Sequence, residues 1–214
     1  MPFVLLSVGG QGDVGISNYG DLKQQVAEWL NRTDLDQAIP EFIRLAESRI
    51  RTDLRVRAQE MIDTGTLTGD TLAVPSKLLD TRRLVVADRE LAFITPEQYA
   101  RMQRKHVRSP ARYYTTIGET FHILGANSGD DYTLTYWEWF DYFVDNDDTN
   151  WLLLNSPDVY LWASLEAGAL YLKDYAASAD FRGRYDAAVK RVQDREKEMR
   201  FSGGPFYVRA DVGE

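Results

Sequence analysis

Apolar positions recur along this chain with two different periods, and the change of period divides it into three regions. Over residues 18–31, Tyr19, Leu22, Val26, Trp29 and Leu30 fall on one side of a 3.6-residue repeat, with Ser17 or Asn18 placed to cap a helix. A second helical stripe, Ile39, Phe42, Ile43, Ala46, Ile50 and Leu54, begins beside Pro40, a residue tolerated in a first turn. The polar turn between them, residues 32–36, is short enough to predict an antiparallel helical hairpin. From 57 to 144 the pattern becomes short runs rich in Val, Ile, Thr, Tyr and Phe, separated by turn signals such as Gly69-Asp70 and Asn127-Ser128-Gly129. Strands are predicted over 58–67, 78–86, 90–94, 111–117, 119–124 and 131–140, with one short helix over 96–105 capped by Thr95. Helix returns after an acidic linker, residues 145–150. Residues 158–177 are apolar on almost every side, through Leu161, Trp162, Leu165, Ala169, Leu170 and Leu172, and should form the most buried helix. Residues 181–200 are amphipathic, with Phe181, Tyr185, Ala188, Val189, Val192 and Met199 on one face.

Helices, strands, helices in that order predict a mixed α+β fold, mainly α: a helical bundle of two N-terminal and two C-terminal helices with an inserted antiparallel β module and extended termini. The expected organisation is a flexible N-terminal arm (1–16), one domain (17–200, with helices 17–56, β module 57–144 and helices 150–200) and a C-terminal tail (201–214). In that tail Gly203-Gly204-Pro205 precedes Phe206-Tyr207-Val208, a group too short to make a core alone.

Composition narrows the chemistry. A chain of 214 residues buries about 70% of its unfolded surface and needs no covalent staples. Zero Cys removes disulfides and thiolate metal sites, and two His cannot build a three-His zinc site. A net charge of −8 argues against a protein whose main task is gripping phosphate backbones. No run reaches eighteen apolar residues and no basic residue precedes the first apolar run, so neither a membrane span nor a signal peptide is expected, and synthesis in a cytoplasm is.

Five patterns suggest specific functions. Gly10, Gly12 and Gly15 spell a dinucleotide fingerprint after the strand-like run 3–8, but a helix pair follows where the fingerprint needs a second strand, so an arm that orders on docking is expected instead. His106 and His122 are the only neutral-pH bases, and neither stands beside a nucleophile elbow. Asp145, Asp147 and Thr149 match the start of a calcium loop, but Asn150 replaces its Gly and Ser156 its bidentate Glu, which favours a solvated connector. Arg101, Arg104, Lys105, Arg108 and Arg112 put five cations within twelve residues of an acidic chain, suited to pairing with a neighbouring copy or to DNA. Tyr132, Tyr136, Trp137, Trp139, Phe140, Tyr142 and Phe143 crowd seven aromatics into twelve residues, which implies burial on both faces, in a core or at an interface; a sugar platform is the alternative.

Taken in order, several segments are similar to a known family. Ile16-Ser17-Asn18-Tyr19-Gly20-Asp21-Leu22, Trp29-Leu30-Asn31-Arg32-Thr33-Asp34-Leu35, and Ile39-Pro40-Glu41-Phe42-Ile43 with Ala46-Glu47 and Arg49-Ile50 resemble the opening of head-to-tail adaptor (connector, head-completion) proteins of tailed bacteriophages. Val74-Pro75 with Leu78-Leu79, Ser109-Pro110 with Tyr113-Tyr114, and Asn150-Trp151-Leu152-Leu153 leading through Pro157-Asp158 to Leu161 and Ala163 extend the resemblance over about residues 16–195. It implies a structural virion protein without enzymatic activity or cofactor. Twelve copies would form a ring joining the portal to the tail or nozzle, through which DNA passes without specific binding. Phe201, Phe206, Tyr207 and Val208 would form the portal-docking tail, and Arg101, Arg104, Lys105, Arg108, Arg112, Trp137, Trp139 and Tyr142 are candidates for a subunit or tail interface. The competing functions are a tail-associated glycan-active enzyme, which needs convergent paired carboxylates, and a DNA-binding module built on the basic run.

Overall fold

The Asn18 side chain accepts a hydrogen bond from the Asp21 amide at 2.8 Å and so starts the first helix of the computed structural model, which describes residues 15–104 and 110–201. The elements are α1 (Tyr19–Leu30), α2 (Ile39–Asp53), β1 (Glu60–Thr66), β2 (Thr71–Ala73), β3 (Leu78–Val86), β4 (Arg89–Glu90), β5 (Ala92–Phe93), α3 (Pro96–Arg104), β6 (Tyr113–Ile117), β7 (Thr120–Leu124), β8 (Asp131–Glu138), α4 (Trp151–Asn155), α5 (Pro157–Tyr171) and α6 (Tyr175–Phe201). The fold is mixed α+β, mainly α. It divides into a helical unit, made of residues up to Leu54 and from Asp141 on, and a β unit, Arg55–Phe140.

In the helical unit α5 is the central element, touching α1, α2, α4 and α6. Its residues Val159, Tyr160, Leu161, Ala163, Ser164, Leu165, Glu166, Gly168 and Ala169 are buried, as its nearly all-round apolar pattern predicts. Gly168 lets two neighbours approach: a Cβ there would stand 2.9 Å from Leu30 Cδ1 and 3.3 Å from Phe42 Cδ2. The helix expected to run on to residue 177 stops at Tyr171. Lys173 takes a left-handed conformation (φ 61°), and α6 begins six residues before the expected position. The short α4 was outside the prediction, because five residues are too few to display a helical period; Asn150 caps it by accepting from the Leu153 amide at 2.9 Å.

The β unit has two four-stranded sheets, ordered β1-β8-β3-β4 and β2-β7-β6-β5. Leu84, Val86, Leu134 and Tyr136 from the first and Tyr114, Phe121, Ile123 from the second share one core with Leu67, Leu91 and Ala111. The single strand expected over 90–94 is two short pieces in different sheets. β4 pairs with β3, the chain crosses at buried Leu91, and β5 pairs with β6 in parallel, while the other pairings among the described residues are antiparallel. Thr95 caps α3 as expected, in a reciprocal arrangement: its hydroxyl accepts from the Gln98 amide at 3.3 Å, and Gln98 accepts from the Thr95 amide at 3.0 Å.

Candidate functional site

The first of the sequence segments that carry the family resemblance, residues 16–22, is tied down within the helical unit. The connector before α4 straps the start of α1: the amides of Tyr19 and Gly20 donate to the carbonyls of Asp148 and Asn146 at 2.8 and 2.9 Å, and the Thr149 hydroxyl donates to the Ser17 carbonyl at 2.9 Å. Lys23 Nζ reaches Asn146 Oδ1 at 2.6 Å. The Asp148 carboxylate accepts from the amides of Val144 and Asp145, which holds it below its ordinary pKa. The connector is thus a built tie, with Asp148 spent on backbone amides. Among the described residues no group of three or more acidic or His side chains is arranged to hold a metal ion.

A charged layer lies under this tie. Glu47 is 5% exposed, and its carboxylate accepts from the Phe143 amide at 2.7 Å. Burial outweighs that hydrogen bond and the nearby charges of Arg44 and Arg51, so the Glu47 carboxyl is pushed up to about 7. The Tyr142 ring lies under two guanidiniums, with Arg44 at 4.0 Å and Arg51 at 3.5 Å from its centroid. Burial also raises the Tyr160 hydroxyl, whose partner is Asn150 Nδ2 at 2.8 Å. Tyr19 stacks on Phe143 with centroids 5.5 Å apart, and Phe143 meets Tyr160 at a tilt with centroids 5.2 Å apart.

Arg49 joins three helices. It pairs with Glu166 of α5 and with Asp186 of α6 at 3.3 Å, holds Asp53 of its own helix at 3.3 Å, and lies 4.0 Å from the Tyr185 ring centroid. Tyr185 in turn donates to Asp53 at 3.0 Å. Beside this network α2 and α5 leave an open groove of about 610 Å³, floored by Ala46, Ala163 and Ala167 and walled by Phe42, Leu45, Leu170 and Tyr171. Leu45 and Tyr171 are about 60% exposed and Leu170 about half, an unusual concentration of large apolar side chains facing water.

Glu47, Arg49 and Glu166 were given no role by sequence reasoning, although a signal existed. Glu47 stands four residues after Ile43 and three before Ile50, a stripe position, and Glu166 interrupts the apolar run of α5. A carboxylate at such a position is buried and must find a partner.

The residues that the sequence singled out are dispersed. Arg101 and Arg104 are exposed on α3 and Arg112 is exposed before β6, while Lys105, His106 and Arg108 lie outside the described residues. Trp137 is half-buried in β8, its indole N–H enclosed without a hydrogen-bond partner and its ring 5.8 Å from the Arg82 guanidinium; Trp139 follows the strand, half-buried. Tyr142 packs on α2 as described. His122, in β7, sets its ring edge-on to Tyr99 of α3 at 6.1 Å. Phe201 ends α6, and Phe206, Tyr207 and Val208 lie outside the described residues, as does the arm up to Val14.

The arrangement is one of ties, ion pairs and an open apolar groove. Among the described residues no helix is long and apolar enough to cross a membrane. No curated protein matches the chain. A family model described as SU10 adaptor protein matches residues 17–209 and so includes the strap, the charged layer and the groove. The chain belongs to the SU10 adaptor protein family, whose members are structural adaptors at the phage head-to-tail junction.

Proposed function

We propose that the protein assembles as a ring of twelve that joins the portal of the phage head to the tail or nozzle and continues the channel through which DNA leaves. The observation that carries this is α6, a continuous helix of 27 residues, packed in the bundle as far as Glu196, that runs on to Phe201, where the aromatic tail begins. A rigid helix fixes where the tail leaves the subunit. Phe201, Phe206, Tyr207 and Val208 then dock in clefts of the portal by extended-strand contacts and order on binding. Twelve such contacts hold together through effective concentration even if each is weak. The subunit is made in the host cytoplasm and ends in the virion at the head-to-tail junction.

Electron microscopy of the protein with and without portal tests the ring directly, and no ring on portal refutes it. Truncation after Arg200 is expected to leave a folded subunit that no longer attaches; undiminished attachment refutes the tail. In this reading part of the acidic excess, −8 per chain, lines the channel and repels phosphate so that DNA slides. A channel lined mainly by Arg and Lys refutes that placement.

A further inference from the structure

We propose that residues 3–8 of one subunit dock in the α2–α5 groove of a neighbouring copy, so that exchanged N-terminal arms link the ring. The inference rests on the ring reading above and names one of its contacts.

Three observations carry it. The groove is apolar and unfilled in the single chain: Phe42, Leu45, Leu170 and Tyr171 wall a volume of about 610 Å³ over a floor of alanines. That volume lies within the range of sites that hold ligands, and an apolar face of this kind is normally covered. Of its three charged members, Arg49 and Glu166 pair with each other and Arg49 also holds Asp53 and Asp186, while Glu41 is exposed to water.

The matching segment is in the same sequence. Phe3-Val4-Leu5-Leu6-Ser7-Val8 is apolar at five of its six positions, and Asp13 is the first charged side chain of the chain. The C-terminal tail fits less well, since Arg209, Asp211 and Glu214 follow its aromatic group. An uncharged apolar run suits a groove whose Arg49–Glu166 pair is already satisfied and whose other carboxylate, Glu41, faces water, with alternate side chains seated as anchors.

Length sets the reach. Six residues, 9–14, separate the run from Gly15, and three of them, Gly9, Gly10 and Gly12, are glycines. Six residues span at most about 20 Å, so only a copy seated directly against this one comes within reach. In a closed ring every groove then receives one arm and every arm finds one groove, the closure that a heterologous contact requires.

The chain has no Cys, so engineered thiols report the contact cleanly. Leu5→Cys in a tagged subunit and Leu45→Cys in an untagged one are mixed, assembled alone or on portal, and oxidised. Leu154→Cys, on α4 outside the groove and 57% exposed, serves as the reference partner for a thiol that collides at random. Disulfide formation between chains is expected to be at least tenfold faster for Leu5 with Leu45 than for Leu5 with Leu154. Equal rates, or a crosslink found only within single chains of the Leu5→Cys/Leu45→Cys double variant, overturn the proposal. Rings in the micrograph without the preferential crosslink leave the ring and remove the arm exchange; the preferential crosslink without rings keeps the contact between copies and removes the ring.

Discussion

Glu47 shows how a single carboxyl can set the pH response of the helical unit. Its pKa is near 7 when folded and at the ordinary 4.5 when unfolded, so between those values the folded chain holds a proton that the unfolded chain has released. Stability from this group therefore falls as pH rises from about 4.5 to 7, and above 7 the full cost of an ionised buried carboxylate is present, on the order of 3 kcal/mol. Glu47→Gln keeps an acceptor for the Phe143 amide and removes the charge. The variant is expected to melt several degrees above the parent at pH 8, with the difference gone by pH 4.5; thermal unfolding across that range is the measurement, and a lower melting temperature at pH 8 contradicts it. That Glu47 is buried was readable from its stripe position, because periodicity reports which face a residue occupies. Its neighbours were not readable, since Phe143 comes from a connector 96 positions away and no local pattern links the two.

Among the elements, the shortest are held by single side chains. Asn150 both caps α4 and satisfies the Tyr160 hydroxyl, so Asn150→Ala should cost about 2 kcal/mol or slightly more, read as a lower denaturation midpoint with unchanged slope. The β3–β4 hairpin turns through Ala87 and Asp88 at φ 48° and 61°, left-handed positions where Ala is strained. Replacing the pair by Asn-Gly is expected to stabilise the fold by about 1 kcal/mol, measured by the same titration. These turns also explain what the sequence hid. Long periodic elements such as α1, α2, α5 and β8 were legible because twelve or more helical residues, or eight alternating ones, repeat their signal. The turn between 86 and 90 was legible as a gap between two runs, whereas the break at Lys173 and the crossing at Leu91 carry no Gly or Pro and so left no turn signal in the sequence.

At the scale of the whole molecule, an acidic chain with an exposed cationic group on α3 and before β6 should not hold DNA. A salt titration is expected to show no binding even at low ionic strength, whereas a steep slope would assign Arg101, Arg104 and Arg112 to phosphates. The helical unit is also discontinuous in sequence: Arg49 and its partner Glu166 are 117 positions apart, with Arg55–Phe140 forming the other unit. Closing so long a loop adds little free energy, because the entropic cost grows only with the logarithm of length. The consequence falls on synthesis instead. As the polypeptide leaves the ribosome, Phe42, Ile43 and Ile50 are made long before the helix that covers them, while the β unit is already complete and can fold. During that interval a nascent subunit presents an uncovered apolar helix to every chain being translated nearby, so slowing elongation between the two halves should lower the yield of soluble protein even though the finished fold is unchanged.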